Sequence, residues 1–165
     1  MTEIEVSAVI PVYNDRDALA KAIPLSVSSL EAITPDFELI IAEDGSTDGS
    51  ADLVRSWTEK DTRVRLFHSD ERLGRGKALN RAFLAAEGGI VCYYDVDLAT
   101  DMKHLAALIG AIRSGYDIST GSRLLPDSRI TRSGGREIAS RGYNFLVRTM
   151  LGSRLHDHQC GFKAF

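Results

Sequence analysis

Cysteine is scarce: Cys92 and Cys160 are the only two in 165 residues. That excludes a disulfide framework. Cys92, inside an apolar run, reads as a small core residue, and the pair together point to a reducing, intracellular setting. Long apolar runs are also missing. No window approaches the roughly 18 consecutive apolar residues of a membrane span. Nor is there an excess of basic residues. Twenty Lys and Arg against 23 Asp and Glu give a net charge of −3, so the chain has no general pull towards nucleic acid or an anionic membrane. Any anion site must be local. The opening stretch, MTEIEVSAVIPV, has no basic segment leading into an apolar one, which is not the pattern of a secretory signal. Repeats and low-complexity tracts are absent.

What is present is an ordinary globular composition, 44% apolar and 26% charged, at a length that buries a core without staples. One domain over residues 1–165 is expected. The chain stops at Phe165 inside the apolar stretch CGFKAF, so the expectation is a domain truncated at its C-terminal end. Apolar periodicity alternates between two kinds of element. Buried strands are expected at 5–12 (EVSAVIPV) and 37–43 (FELIIAE), with further strands at 63–69, 89–95 and 116–122. Helices are expected at 17–33, kinked near Pro24, at 46–60 with Val54 and Trp57 inward, at 74–88, at 101–115 and at 136–151. The stretch 156–165 reads as the start of a late strand. Strands alternating with helices imply an α/β fold with a mainly parallel central sheet flanked by helices.

In such a sheet ligands lie beyond the carboxyl ends of the strands. Polar residues cluster there: Tyr13, Asn14 and Asp15 after the first strand, EDGSTDGS with Asp44 after the second, Asp95 and Asp97 after the fourth, Ser122 and Arg123 after the fifth. Asp95 and Asp97, with only Val96 between them, repel and raise each other's pKa unless something cationic lies between. Alternating carboxylates at a strand end suit a hard divalent cation that also binds phosphate oxygens, Mg²⁺ or Mn²⁺. The run SRLLPDSRITRSGGR places Arg123, Arg129, Arg132 and Arg136 close together, and guanidinium forks suit phosphate. HDHQC alternates His156, His158 and Cys160, but three zinc ligands from one strand at that spacing are geometrically awkward.

The segments VIPVYND, IIAEDGSTDGS, GRGKALNRAF and YYDVDLATD, in this order, resemble the family 2 glycosyltransferases, which have the GT-A nucleotide-sugar-binding fold. GSR, REIASRGYNFLVR and DHQCGFKAF look like the polyprenyl-phosphate branch of that family, which contains dolichol-phosphate mannose synthase and dolichyl-phosphate glucosyltransferase. QCGFK is closer to the latter. The resemblance implies roles by position. Pro11, Tyr13, Asp15, Asp44, Gly45, Arg75 and Asp95 match the nucleotide site, with Asp44 on the base. Asp95 and Asp97 match the metal-binding pair, with Asp97 the direct ligand. Arg123, Arg136 and Ser140 match the acceptor phosphate site. Ala99 stands where mannose synthases often carry Gln, which favours UDP-glucose over GDP-mannose as donor. The activity implied is inverting, metal-dependent transfer of a hexose to a polyprenyl or dolichyl phosphate, at the cytoplasmic side of a membrane that the full-length protein associates with, while this stretch alone is soluble. Nucleic acid is not an expected partner. Three other readings are transfer to a sugar hydroxyl, with Asp157 as the one acceptor-side carboxylate, a nucleotide-binding module without catalysis, and a dinucleotide-dependent oxidoreductase. GRGKALN prompts the last, but its glycine pattern is incomplete and follows the third strand instead of the first.

Overall fold

The structure is a computed structural model and describes residues 3–121 and 157–165, together with 147, 149, 150 and 152. Strands β1 (Val6–Val12), β2 (Phe37–Glu43), β3 (Val64–Phe67), β4 (Ile90–Tyr94), β5 (Ser119–Thr120) and β6 (Phe162–Ala164) form a sheet of order β3-β2-β1-β4-β6-β5. Neighbouring pairs among β1 to β4 are parallel, and β6 runs antiparallel to both β4 and β5. The expected α/β class with a mainly parallel sheet is what forms. The late strand is present too, but it runs against its neighbours.

β1 and β2 are buried along their whole length, which is why their apolar residues fall on both faces and do not alternate, with Ser7, Glu38 and Glu43 the polar residues among them. Helices α1 (Arg16–Glu31), α2 (Ser50–Thr58) and α4 (Leu105–Arg113) send Leu19, Ile23, Leu30, Val54, Leu105 and Ile109 into one core face. Helix α3 (Arg75–Leu84) covers the other face, with Ala78 and Ala82 against Val9, Ile40 and Ala42. Trp57 packs partly buried against the first face. Cys92 is fully buried, and burial pushes its thiol up to about 12, so it is an inert core residue as expected. Pro24 lies inside α1.

The expected helix at 46–60 begins only at Ser50. Gly49, at φ 86°, is its cap residue, while the side chain of Asp48 accepts the first amide. The Ser, Thr and Asp residues of STDGS therefore build the loop, and that loop turns out to be part of the site. The carbon-copy order of strands on one side of β1, with β4 on the other, makes the gap between β1 and β4 a topological switch point. Among the described residues no helix is long and apolar enough to cross a membrane.

Candidate active site

The carboxyl ends of β1, β2 and β3 feed loops that side chains stitch into one unit. Asn14, in the left-handed region at φ 49°, accepts the Thr47 amide at 2.8 Å, and its own amide donates to Ser46 Oγ at 2.9 Å. Asp48 accepts the Arg16 amide at 2.9 Å and the Ser50 amide at 3.0 Å, so one carboxylate receives the first residue of both α1 and α2. Burial alone would push its pKa up, but the bonds from Ser50 and Arg16 outweigh that and hold it below the usual carboxylate value. Glu43, fully buried, accepts the Ser46 amide and meets His68 Nδ1, whose other ring nitrogen lies 3.3 Å from Asp70.

Of the expected nucleotide residues, Tyr13, Asp15, Asp44 and Gly45 fall within this unit. Asp44 is buried, and its two oxygens accept the amides of Leu73 at 2.8 Å and Gly74 at 2.9 Å. Gly45 has φ 75°, and a Cβ there would lie 2.8 Å from the Arg72 nitrogen, so glycine lets two loops touch. The Arg72 guanidinium lies 4.0 Å from the centre of the half-exposed Tyr13 ring. Asp15 caps α1 through the Ala18 amide at 3.4 Å. Pro11 is buried within β1, two residues past the end of the β1–β4 ladder at Val9, so it shapes the strand end and shows no side chain to the crevice.

Across the switch point, β4 ends at Tyr94 and the chain turns, with the Leu98 amide on the Asp95 carbonyl at 3.0 Å. Val96 and Leu98 pack against the core, which leaves Asp97 exposed and Asp95 half-exposed beside the crevice. Asp97 Oδ1 accepts the Ala99 amide at 3.0 Å, and Leu98 holds φ 49°. Asp95 pairs with Arg75, the first residue of α3. So Arg75, Asp95, Asp97 and the loops carrying Tyr13 and Asp44 all gather at the same ends of the sheet. The donor set fits Mg²⁺ or Mn²⁺: hard oxygens only, two carboxylates at an accessible turn. Among the described residues no cluster of three or more His, Cys, Asp or Glu could enclose an ion.

Arg123, Arg136, Ser140 and His156 lie outside the described residues. Asp157 is fully buried and accepts the Gln159 amide at 3.0 Å, which is a turn-forming role and a poor one for a base that must reach a hydroxyl. Cys160 is buried in the core. Two features escape a reading of the sequence. One is the Glu43–His68 contact, since nothing in alternating strand residues announces a pair twenty-five positions apart. The other is Lys163, buried at 9% exposure, whose only signal is a single charge in the apolar run GFKAF.

The family description "Glycosyl transferase family 2" matches residues 7–165. The glycosyltransferase AglD of Haloferax volcanii is 49% identical over 98% of the chain, which spans 26% of that protein. A dolichyl-phosphate beta-glucosyltransferase of Drosophila melanogaster is 30% identical over 98% of the chain, which spans 54% of that protein. Among solved structures, a mannosyltransferase of Pyrobaculum calidifontis in complex with GDP-Man and Mn²⁺ aligns with a TM-score of 0.56 at 28% identity, over 64% of this chain and 31% of that one.

Proposed function

The chain belongs to glycosyl transferase family 2, and on that premise we propose that it moves a hexose, glucose from UDP-glucose in preference to mannose from GDP-mannose, onto a polyprenyl or dolichyl phosphate. The observation that carries this reading is the pair Asp95 and Asp97 at the β1–β4 switch point, faced by Arg75 and by the stitched loops that carry Tyr13 and Asp44. The similarity to a dolichyl-phosphate beta-glucosyltransferase supports the acceptor and the sugar. The basic run from Arg123 to Arg136 supports a phosphate acceptor on the same grounds of charge.

In this reading Tyr13, Asp15, Asp44 and Gly45 hold the nucleotide, with Pro11 shaping the strand end behind them. Arg75 and Asp95 lie against the sugar-diphosphate, and Asp95 and Asp97 form the metal pair, with Asp97 the direct ligand. A bound Mg²⁺ or Mn²⁺ would neutralise charge on the leaving diphosphate. Arg123, Arg136 and Ser140 orient the acceptor phosphate. A phosphate oxygen attacks the anomeric carbon in line, the bond from that carbon to the diphosphate oxygen breaks, and the nucleoside diphosphate leaves with the electron pair. The anomeric configuration inverts and no covalent enzyme intermediate forms. The attacking oxygen is already anionic near neutral pH, so no general base is required. A lipid acceptor places the reaction at a membrane surface, on its cytoplasmic side.

The test is a donor screen of the full-length protein with a polyprenyl phosphate acceptor, each nucleotide sugar in turn, with and without Mn²⁺. Metal-dependent transfer from UDP-glucose is expected. Transfer only to sugar hydroxyls would overturn the acceptor, and a preference for GDP-mannose would overturn the donor.

A further inference from the structure

Lys163 is the one lysine among the described residues that is buried, and its ammonium is fully engaged. Nζ donates to Tyr93 Oη at 3.1 Å, to the His158 carbonyl at 3.1 Å and to the Cys160 carbonyl. An ammonium has three donors, and three acceptors take them. Two of those acceptors belong to the turn that leads into β6. The next residue of that turn, Gly161, stands against Asp95: a Cβ on Gly161 would lie 2.7 Å from the Asp95 Cγ and closer still to Oδ2. The register agrees, because Tyr93 pairs with Lys163 and Tyr94 with Phe162, which puts Asp95 opposite Gly161.

We propose that Lys163 is a positioning residue for Asp95. Its ammonium draws the carbonyls of residues 158 and 160 onto one point. This sets the backbone at Gly161, and that backbone is the wall against which the Asp95 carboxylate rests, with Arg75 on its other side. Simple packing does not call for a charge here. A methionine would fill the same space without the desolvation penalty of a buried ammonium. The inference rests on the reading of Asp95 as a donor-site carboxylate.

The experiment measures Mn²⁺-dependent binding of UDP, and in parallel of GDP, by calorimetry, alongside chemical denaturation. The proteins are wild type, Lys163→Met, Asp95→Asn, the double variant of these two, and Lys163→Gln alone and with Asp95→Asn. Lys163→Met should keep a cooperative fold and weaken Mn²⁺-nucleotide binding by about tenfold or more, the usual loss when a supporting partner of a metal-site ligand is removed. The double variant should bind no more weakly than Asp95→Asn alone, since a residue that acts only through Asp95 has nothing left to act on. A purely structural lysine would give additive losses, and that result would overturn the proposal. Wild-type affinity in Lys163→Met, with Asp95→Asn weakened, would overturn it while leaving the donor site standing. Wild-type affinity in Asp95→Asn would remove the donor-site reading and this inference with it. Should Lys163→Met fail to fold, Lys163→Gln, alone and with Asp95→Asn, decides: a neutral side chain with two N–H donors cannot hold all three acceptors, so binding should weaken in the same non-additive way, and unchanged binding or additive losses would overturn the proposal.

Discussion

The carboxylate of Asp44 receives the backbone amide of Gly74 at 2.9 Å, so the residue matched to base recognition is also the clamp on the loop entering α3. Its other oxygen holds the Leu73 amide. An asparagine offers one acceptor oxygen and would turn its NH₂ towards an N–H donor. Asp44→Asn should therefore lower stability by about 1–3 kcal/mol, the range for a buried hydrogen bond left unmade. It should weaken nucleotide binding as well. Denaturation and calorimetry on the same sample check both. Lost stability with unchanged affinity would assign Asp44 to the loop alone.

Asp97 presents the opposite case. It is exposed, and its carboxylate accepts the amide of Ala99, two residues on. Asp97→Ala should leave the denaturation midpoint close to wild type and abolish the Mn²⁺ dependence of nucleotide binding. Titration of UDP or GDP with and without Mn²⁺ reads the difference, and an unchanged metal dependence would remove Asp97 from the ligand set.

Arg75 and Asp95 form an ion pair whose side chains are 54% and 41% exposed. Such pairs contribute under about 1 kcal/mol to folding. Arg75→Ala should thus cost little stability while sharply reducing sugar transfer. Arg75→Lys should recover part of the rate, because the charge returns without the planar fork. Transfer kinetics against donor concentration test this. An Arg75→Ala variant with wild-type turnover would reduce the pair to surface decoration.

Asp48 carries the pH prediction. Its folded pKa is depressed, so its contribution to stability is present above the ordinary value of 3.8 and is lost as pH falls through the folded value. The start of α1 and the start of α2 share this carboxylate, so both should loosen together at low pH. Asp48→Asn should flatten the acid limb of a stability-versus-pH curve. Measuring midpoints from neutral pH down to strongly acidic pH would show an unaltered limb if the prediction is wrong.

The elements were legible because strands rich in apolar residues and helical stripes follow one another from Val6 to Arg113. The gathering of Tyr13, Asp44, Asp95 and Asp97 was legible too, since strand ends of one parallel sheet must share an edge, whereas Arg75 was singled out only by the family resemblance. The direction of β6 was not. Phe162, Lys163 and Ala164 carry no mark of parallel or antiparallel pairing. The start of α2 was misplaced because Ser46, Thr47 and Asp48 are cap-forming types used here to tie loops together. Lys163 was invisible as a site residue because its partners are mostly backbone carbonyls, which any sequence supplies.

The antiparallel strand has a consequence for biosynthesis. Tyr93 and Lys163 touch across 70 positions of chain. While residues up to β4 are already outside the ribosome, the edge that β6 will cover is still open, and the Asp95 side chain has no wall behind it. The loops after β1, β2 and β3 can lock to one another in that nascent chain, since the bonds that join them run between Asn14, Arg16, Asp44, Ser46, Thr47, Asp48 and Gly74. Closure across 70 positions is slow compared with pairing across 30 to 33. The half of the site proposed for the nucleotide is thus ready early, and the proposed carboxylate pair gains its wall only when β6 docks, so a chain interrupted in between is shaped for a ligand it cannot yet process.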